Sequence, residues 1–206
     1  MRPCLVALLL LSIARPVAAQ MMTADGFESG SFDRWRLQTW GEENRGTIAA
    51  PPEPFEGKLA FRSVAGPDAM ATGRHWCEIG RYFGSNDSER WWGFAVYFPE
   101  DWKIDKQNTV ISQVYSKTDR DLEETGAIVP VLVLRVEGGM MILESRYDEN
   151  EISRPEQYGK GGTVKNQRLW EGPLELGRWI PFVFHARFSH EPGGNGLLEV
   201  WRDGEL

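Results

Sequence analysis

Apolar and polar residues alternate along this chain in short runs, and glycine or proline closes most of them. The clearest run is Trp92-Gly93-Phe94-Ala95-Val96-Tyr97-Phe98, which predicts a strand packed on a sheet and stopped by Pro99. A polar loop through Asp101 and Trp102 leads to a second predicted strand over 109–115. On it Val110, Ser112 and Val114 face one way, while Ile111, Gln113 and Tyr115 face the other. Further strands are predicted at 58–64, 74–80, 129–136, 140–146, 179–189 and 197–202, with a brief pairing at 47–49. In the 179–189 strand Phe182, Phe184, Ala186 and Phe188 share one face, and Val183, His185 and Arg187 share the other. Glu137-Gly138-Gly139 and Asp203-Gly204 read as hairpin turns. The polar stretch 148–162 reads as a long loop of the functional or mobile kind.

No apolar period of 3.6 residues is sustained anywhere. Short strands, glycine turns and 12% aromatic residues predict an all-β fold, an antiparallel β-sandwich. Residues 1–20 join a basic start at Arg2, an apolar run too short to span a bilayer, and Val17-Ala18-Ala19 before Gln20. That pattern is a secretory signal peptide, so the mature chain is expected outside the cytoplasm, secreted or periplasmic. Residues 21–206 are expected to form one domain. Cys4 leaves with the leader, and Cys77 then stands alone, which excludes an internal disulfide and favours a packing role. Without the leader the chain keeps 21 basic and 30 acidic residues, a net charge of −9. Such a balance argues against nucleic acid and anionic membranes, and fits a heavily sulfated glycan poorly. No zinc-protease, serine-hydrolase, P-loop or dinucleotide motif is present.

The phrase W-W-G-F-A-V-Y-F-P-E-D-W (91–102) followed by I-S-Q-V-Y (111–115) resembles the heparin lyase I-like polysaccharide lyases, a group that includes glucuronan lyases. The resemblance continues in F-E-S-G at 27–30, G-K-L-A-F-R at 57–62, L-G-R-W at 176–179, F-V-F-H at 182–185 and L-E-V-W-R-D-G at 198–204. It implies a jelly roll of the concanavalin A-like type, a monomer, and an acidic polysaccharide as partner. The group continues past a turn like Asp203-Gly204 with a Tyr-x-Lys-x-Gly-x-Tyr strand, so the resemblance implies that the sandwich is C-terminally incomplete here. It also leaves room for a structural calcium ion near Glu28, and implies no other cofactor.

Cleaving a uronate glycan by β-elimination removes the proton from C5 and expels the 4-linked oxygen. A neutralising group must hold the carboxylate, and a base and an acid must move protons. By type and by resemblance, Gln113 and Arg74 suit neutralisation, Tyr115 and His185 suit proton transfer, and Arg135, Arg187 and Lys117 suit substrate binding. Gln113, Tyr115, His185 and Arg187 are then expected on one concave sheet face. Two positions depart from the group: its Q-x-H reads Gln113-Val114-Tyr115, and its R-x-E reads Trp76-Cys77-Glu78 with Arg74 two residues earlier. Each candidate also has an ordinary reading. Tyr115 can be a stacking surface, His185 a strand histidine bonded to its neighbours, and Arg135 and Arg187 sheet-face salt-bridge partners. A carbohydrate-binding sandwich without the chemistry is the alternative function. Hydrolysis would need opposed carboxylates, which Glu199, Asp203 and Glu205 do not supply.

Overall fold

The computed structural model describes residues 24–40, 45–64, 76–82, 89–116, 121, 123–124, 129–148, 150, 152, 163–189 and 193–206. The predicted leader and two candidate site residues, Arg74 and Lys117, lie outside the described residues. Those that are described form strands and turns, with no helix among them. They divide into two compact units, the first ending at Gly80 and the second beginning at Arg81.

In the first unit β1 (Arg36–Trp40) pairs antiparallel with β4 (Trp76–Gly80), and β2 (Arg45–Ala49) pairs antiparallel with β3 (Ala60–Val64). Gly46 is needed here, because a Cβ would come within 2.6 Å of Leu37 and 2.9 Å of both Phe61 and Cys77 Sγ. Cys77 therefore acts as packing, and burial pushes its thiol pKa up, away from reactivity. Glu28 fastens the loop before β3: its Oε1 accepts the Lys58 and Leu59 amides, each at 2.7 Å.

The second unit carries β5 (Glu89–Tyr97), β6 (Thr109–Tyr115), β7 (Pro130–Glu137), β8 (Met140–Tyr147), β9 (Lys165–Pro173), β10 (Trp179–Arg187) and β11 (Leu197–Arg202). All pairings are antiparallel, in a three-stranded sheet ordered β11-β10-β5 and a four-stranded sheet ordered β6-β7-β8-β9. The predicted alternation decides what lies between them. β10 gives Ile180, Phe182 and Phe184 to the core, β7 gives Leu132, Leu134 and Val136, and β8 gives Met141 and Leu143. Trp92, Phe94 and Val96 of β5, and Ile111 and Val114 of β6, pack against that cluster. The result is the antiparallel β-sandwich that the alternation predicts.

β9 escapes the sequence reading. It is an outer strand whose residues are mostly exposed on both sides, so Lys165-Asn166-Gln167-Arg168 shows no period of two. Both predicted turns form, with Gly138, Gly139, Asp203 and Gly204 in the left-handed region. The second turn is clamped from a distance. Arg178 donates from Nη1 and Nη2 to the two carboxylate oxygens of Asp203, at 3.0 and 2.7 Å, and from Nη1 to the Trp179 carbonyl at 3.0 Å. The L-G-R-W and R-D-G pieces thus belong to one contact.

Phe184 is 2% exposed and stacks on Trp92 with centroids 5.0 Å apart and planes 4° from parallel. Phe184→Ala should cost about 3–5 kcal/mol of unfolding free energy in a urea titration, and a loss below about 1 kcal/mol would place the core elsewhere.

Candidate functional site

The alternation that fills the core also fixes which side chains face outward. On β7 Leu132, Leu134 and Val136 point inward, so Val133 and Arg135 belong to the outer side of the four-stranded sheet. Gln113 is the Cα partner of Val133, Val133 of Glu144, and Glu144 of Arg168. One row thus crosses the sheet as Gln113, Val133, Glu144 and Arg168. Arg146 lies two residues along from Glu144, opposite Asn166. Tyr115 ends β6 beyond an irregularity at Val114/Tyr115 and is 52% exposed.

Two kinds of arginine share this face. Arg135 is 7% exposed and forks onto Glu144, Nη2 to Oε1 at 2.8 Å and Nε to Oε2 at 3.2 Å, and also binds Glu137. This contact holds the Glu144 carboxyl below its usual pKa range against the opposing effect of burial, and keeps Arg135 firmly charged. Removing one partner from a buried pair ordinarily costs several kcal/mol. Arg135 therefore orders the sheet, and of the two readings its sequence position leaves open these contacts fit the salt-bridge one. Arg168 is different. Its pair with Glu171, 2.6 Å long, joins two half-exposed side chains, and such pairs are worth about 0–1 kcal/mol. Arg168 can exchange that partner for a ligand carboxylate. Arg146, whose nearest approach to Glu144 is 3.8 Å, sits between these extremes. Neither Arg146 nor Arg168 was singled out in the sequence. Arg146 keeps phase with Ile142 and Glu144, a usable signal, whereas Arg168 lies on the unrecognised β9.

His185 and Arg187 are elsewhere. Phe184 and Ala186 point into the core, so these two face outward from the three-stranded sheet, on the opposite side of the sandwich. Stacked sheets alone are about 10 Å apart, so Gln113 and His185 cannot reach one sugar ring together. The expectation of a shared concave face is corrected: alternation cannot say which sheet a strand joins, and on β6 the irregularities at Val110/Ser112 and Val114/Tyr115 break the two-residue rule itself, with Ile111 packed on the core.

His185 is also fully engaged. Nδ1 meets Glu199 Oε2 and Nε2 meets Glu89 Oε1, both at 2.6 Å, while the Trp91 indole lies over the ring at 3.9 Å and 12° from parallel. The Glu199 hydrogen bond first, then that of Glu89, raises the histidine pKa against a smaller desolvation effect. With a carboxylate oxygen against each ring nitrogen, the arrangement favours the imidazolium, in which both N–H groups donate. Arg187 donates from Nε to the Asn195 carbonyl at 2.8 Å and lies 3.5 Å from Glu89. Among the described residues, no three His, Cys, Asp or Glu side chains converge as a metal would require. Glu28, near which the resemblance leaves room for a calcium ion, directs its Oε1 to two backbone amides.

An all-antiparallel sandwich of two sheets is the class of fold that these strands define. The particular family follows from sequence: residues 27–206 match the polysaccharide lyase family model, and the chain belongs to that family. No curated protein matches it at a significant level. Among solved structures it is similar to the endo-β-1,4-glucuronan lyase from the fungus Trichoderma reesei, with a TM-score of 0.63 and 16% identity over 85% of this chain and 71% of that one. At that identity the likeness speaks for the fold, and the sandwich is a jelly roll of this lyase type.

The histidine arrangement has a measurable consequence. His185 should titrate above its ordinary value of 6.5 in an NMR pH series, and Glu199→Gln should bring it down. Because the folded-state pKa is raised, the stabilisation is fully present below about pH 6.5 and is lost as pH rises through the folded value. A His185 that titrates at or below 6.5 would contradict the doubly donated imidazolium.

Proposed function

We propose that this protein is a secreted lyase that cleaves a uronate-containing polysaccharide by β-elimination on the outer face of its four-stranded sheet. The observation that carries the reading is the row Gln113-Val133-Glu144-Arg168 with Arg146 beside it. In this reading the Gln113 side-chain amide donates to the uronate carboxylate and steadies the enolate-like charge that develops when C5 loses its proton. Arg168 and Arg146 hold neighbouring carboxylates, and Arg135 with Glu144 keeps the sheet surface rigid beneath them. Tyr115, at the end of β6 past the irregularity at Val114/Tyr115 and half exposed, is assigned the proton-transfer role. The charge balance favours a lightly charged uronate chain over a sulfated one.

A second reading keeps the binding face and drops the chemistry. The observation in its favour is His185, whose place on the other sheet removes one of the two proton-transfer candidates.

Elimination creates a C4–C5 double bond conjugated to the carboxylate, which absorbs in the ultraviolet, whereas binding alone creates nothing. Incubated with polyglucuronate or alginate, the protein should generate that band, and Gln113→Ala should lower kcat by about 10²–10³. Unimpaired turnover in Gln113→Ala would remove its role. Retention of polyglucuronate with no new absorbance would decide for the binding reading.

A further inference from the structure

The His185 cluster lies on the side of the sandwich away from Gln113, and elimination chemistry makes no use of it. Its upper surface is aromatic. Trp91 is 61% exposed although one face of its indole covers His185, and Trp201 lies beside it with centroids 5.5 Å apart and planes 20° from parallel. Large exposed aromatic surface rimmed by polar groups marks an interaction site more often than chance exposure. The support beneath it is built. Glu89 from β5 and Glu199 from β11 grip the imidazole of the middle strand from both sides, so the indole rests on a ring that cannot swing. A flat, prepositioned ring loses little entropy when a ligand stacks on it.

The rim says which ligand. His185 has a side chain only 10% exposed, whereas Glu89 and Glu199 are 48% and 37% exposed. Arg187 has its Nε on the Asn195 carbonyl and leans on Glu89. The polar atoms offered to solvent around the indole are therefore mainly carboxylate oxygens, which accept hydrogen bonds and repel anions. An indole face bordered by acceptors suits the apolar face and hydroxyl edge of an uncharged pyranose. It is the reverse of the arginine-bearing face on the other side.

We propose that Trp91, supported by His185 and flanked by Trp201, Glu89 and Glu199, is a stacking site for a neutral polysaccharide, separate from the lyase face. This would tether the protein to an uncharged glycan while the other face meets acidic chains. It does not rest on the elimination reading, since the ligand, face and measurement all differ.

Native gels cast with hydroxyethyl cellulose, xyloglucan or laminarin test it, with polyglucuronate and alginate gels as acidic counterparts. At least one neutral gel should retard the wild-type protein. Trp91→Ala should weaken that association about tenfold or more, as truncation of an aromatic anchor ordinarily does, and Trp91→Phe should weaken it less. On the unmodified protein, the same neutral glycan should protect one exposed tryptophan from N-bromosuccinimide, identified as Trp91 by peptide mapping, so the test survives a variant that fails to fold. No retardation by any neutral glycan, equal retardation of Trp91→Ala, or no protection of Trp91 would overturn the proposal. Retardation by the acidic gels that depends on Trp91 would overturn its ligand class.

Discussion

The side-to-side pleat of β7, β8 and β10, kept even where Val133 and Ile142 are buried on the far side too, is the constraint on which the second unit depends. Leu132, Leu134, Met141, Leu143, Ile180, Phe182 and Phe184 can all leave water only if every second residue faces the other sheet. A slip of one residue would turn each of these side chains outward and bring Arg135 and His185 inward. The same burial that holds the sandwich together therefore decides which polar groups are displayed, and on which side. The two outer faces follow from one apolar pattern and yet carry opposite chemistry. One presents arginines that differ in how tightly they are held, and the other presents an indole ringed by carboxylates.

Paired charges serve different ends on the two faces. Arg135 and Glu144 are shielded, so each keeps the other ordered and neither is offered to a ligand. Arg168 and Glu171 are in water, where their attraction is weak enough to exchange. On the opposite side Glu89 and Glu199 flank a histidine whose side chain is only 10% exposed. The distinction between a structural and a functional charge is a matter of burial, which residue type alone does not carry.

This is also where sequence reading succeeded and where it stopped. The strands with one apolar face, such as β10 with Phe182 and Phe184, were legible because a period of two survives in the sequence. The hairpins at Gly138-Gly139 and Asp203-Gly204 were legible because left-handed backbone favours those residues. β9 was not, since a strand wet on both sides leaves no alternation to detect. Gln113 and His185 were each expected on one concave sheet face, and that shared placement failed. Sheet membership is set by long-range pairing, β6 with β7 and β10 with β5 and β11, which local pattern does not encode.

The imidazole between Glu89 and Glu199 has a consequence for how substitutions at this position are read. It separates two carboxylates that would otherwise confront each other across a single strand. Replacing it with an uncharged residue deletes a ring and also releases a like-charge repulsion beneath an indole that has lost its seat. A systematic truncation survey would then score His185 as indispensable, and the loss would resemble that of a proton-transfer group. The informative comparison is a double replacement in which both glutamates become glutamine along with the histidine. If the fold recovers there, the histidine's importance is that of a counter-ion rather than of a reagent.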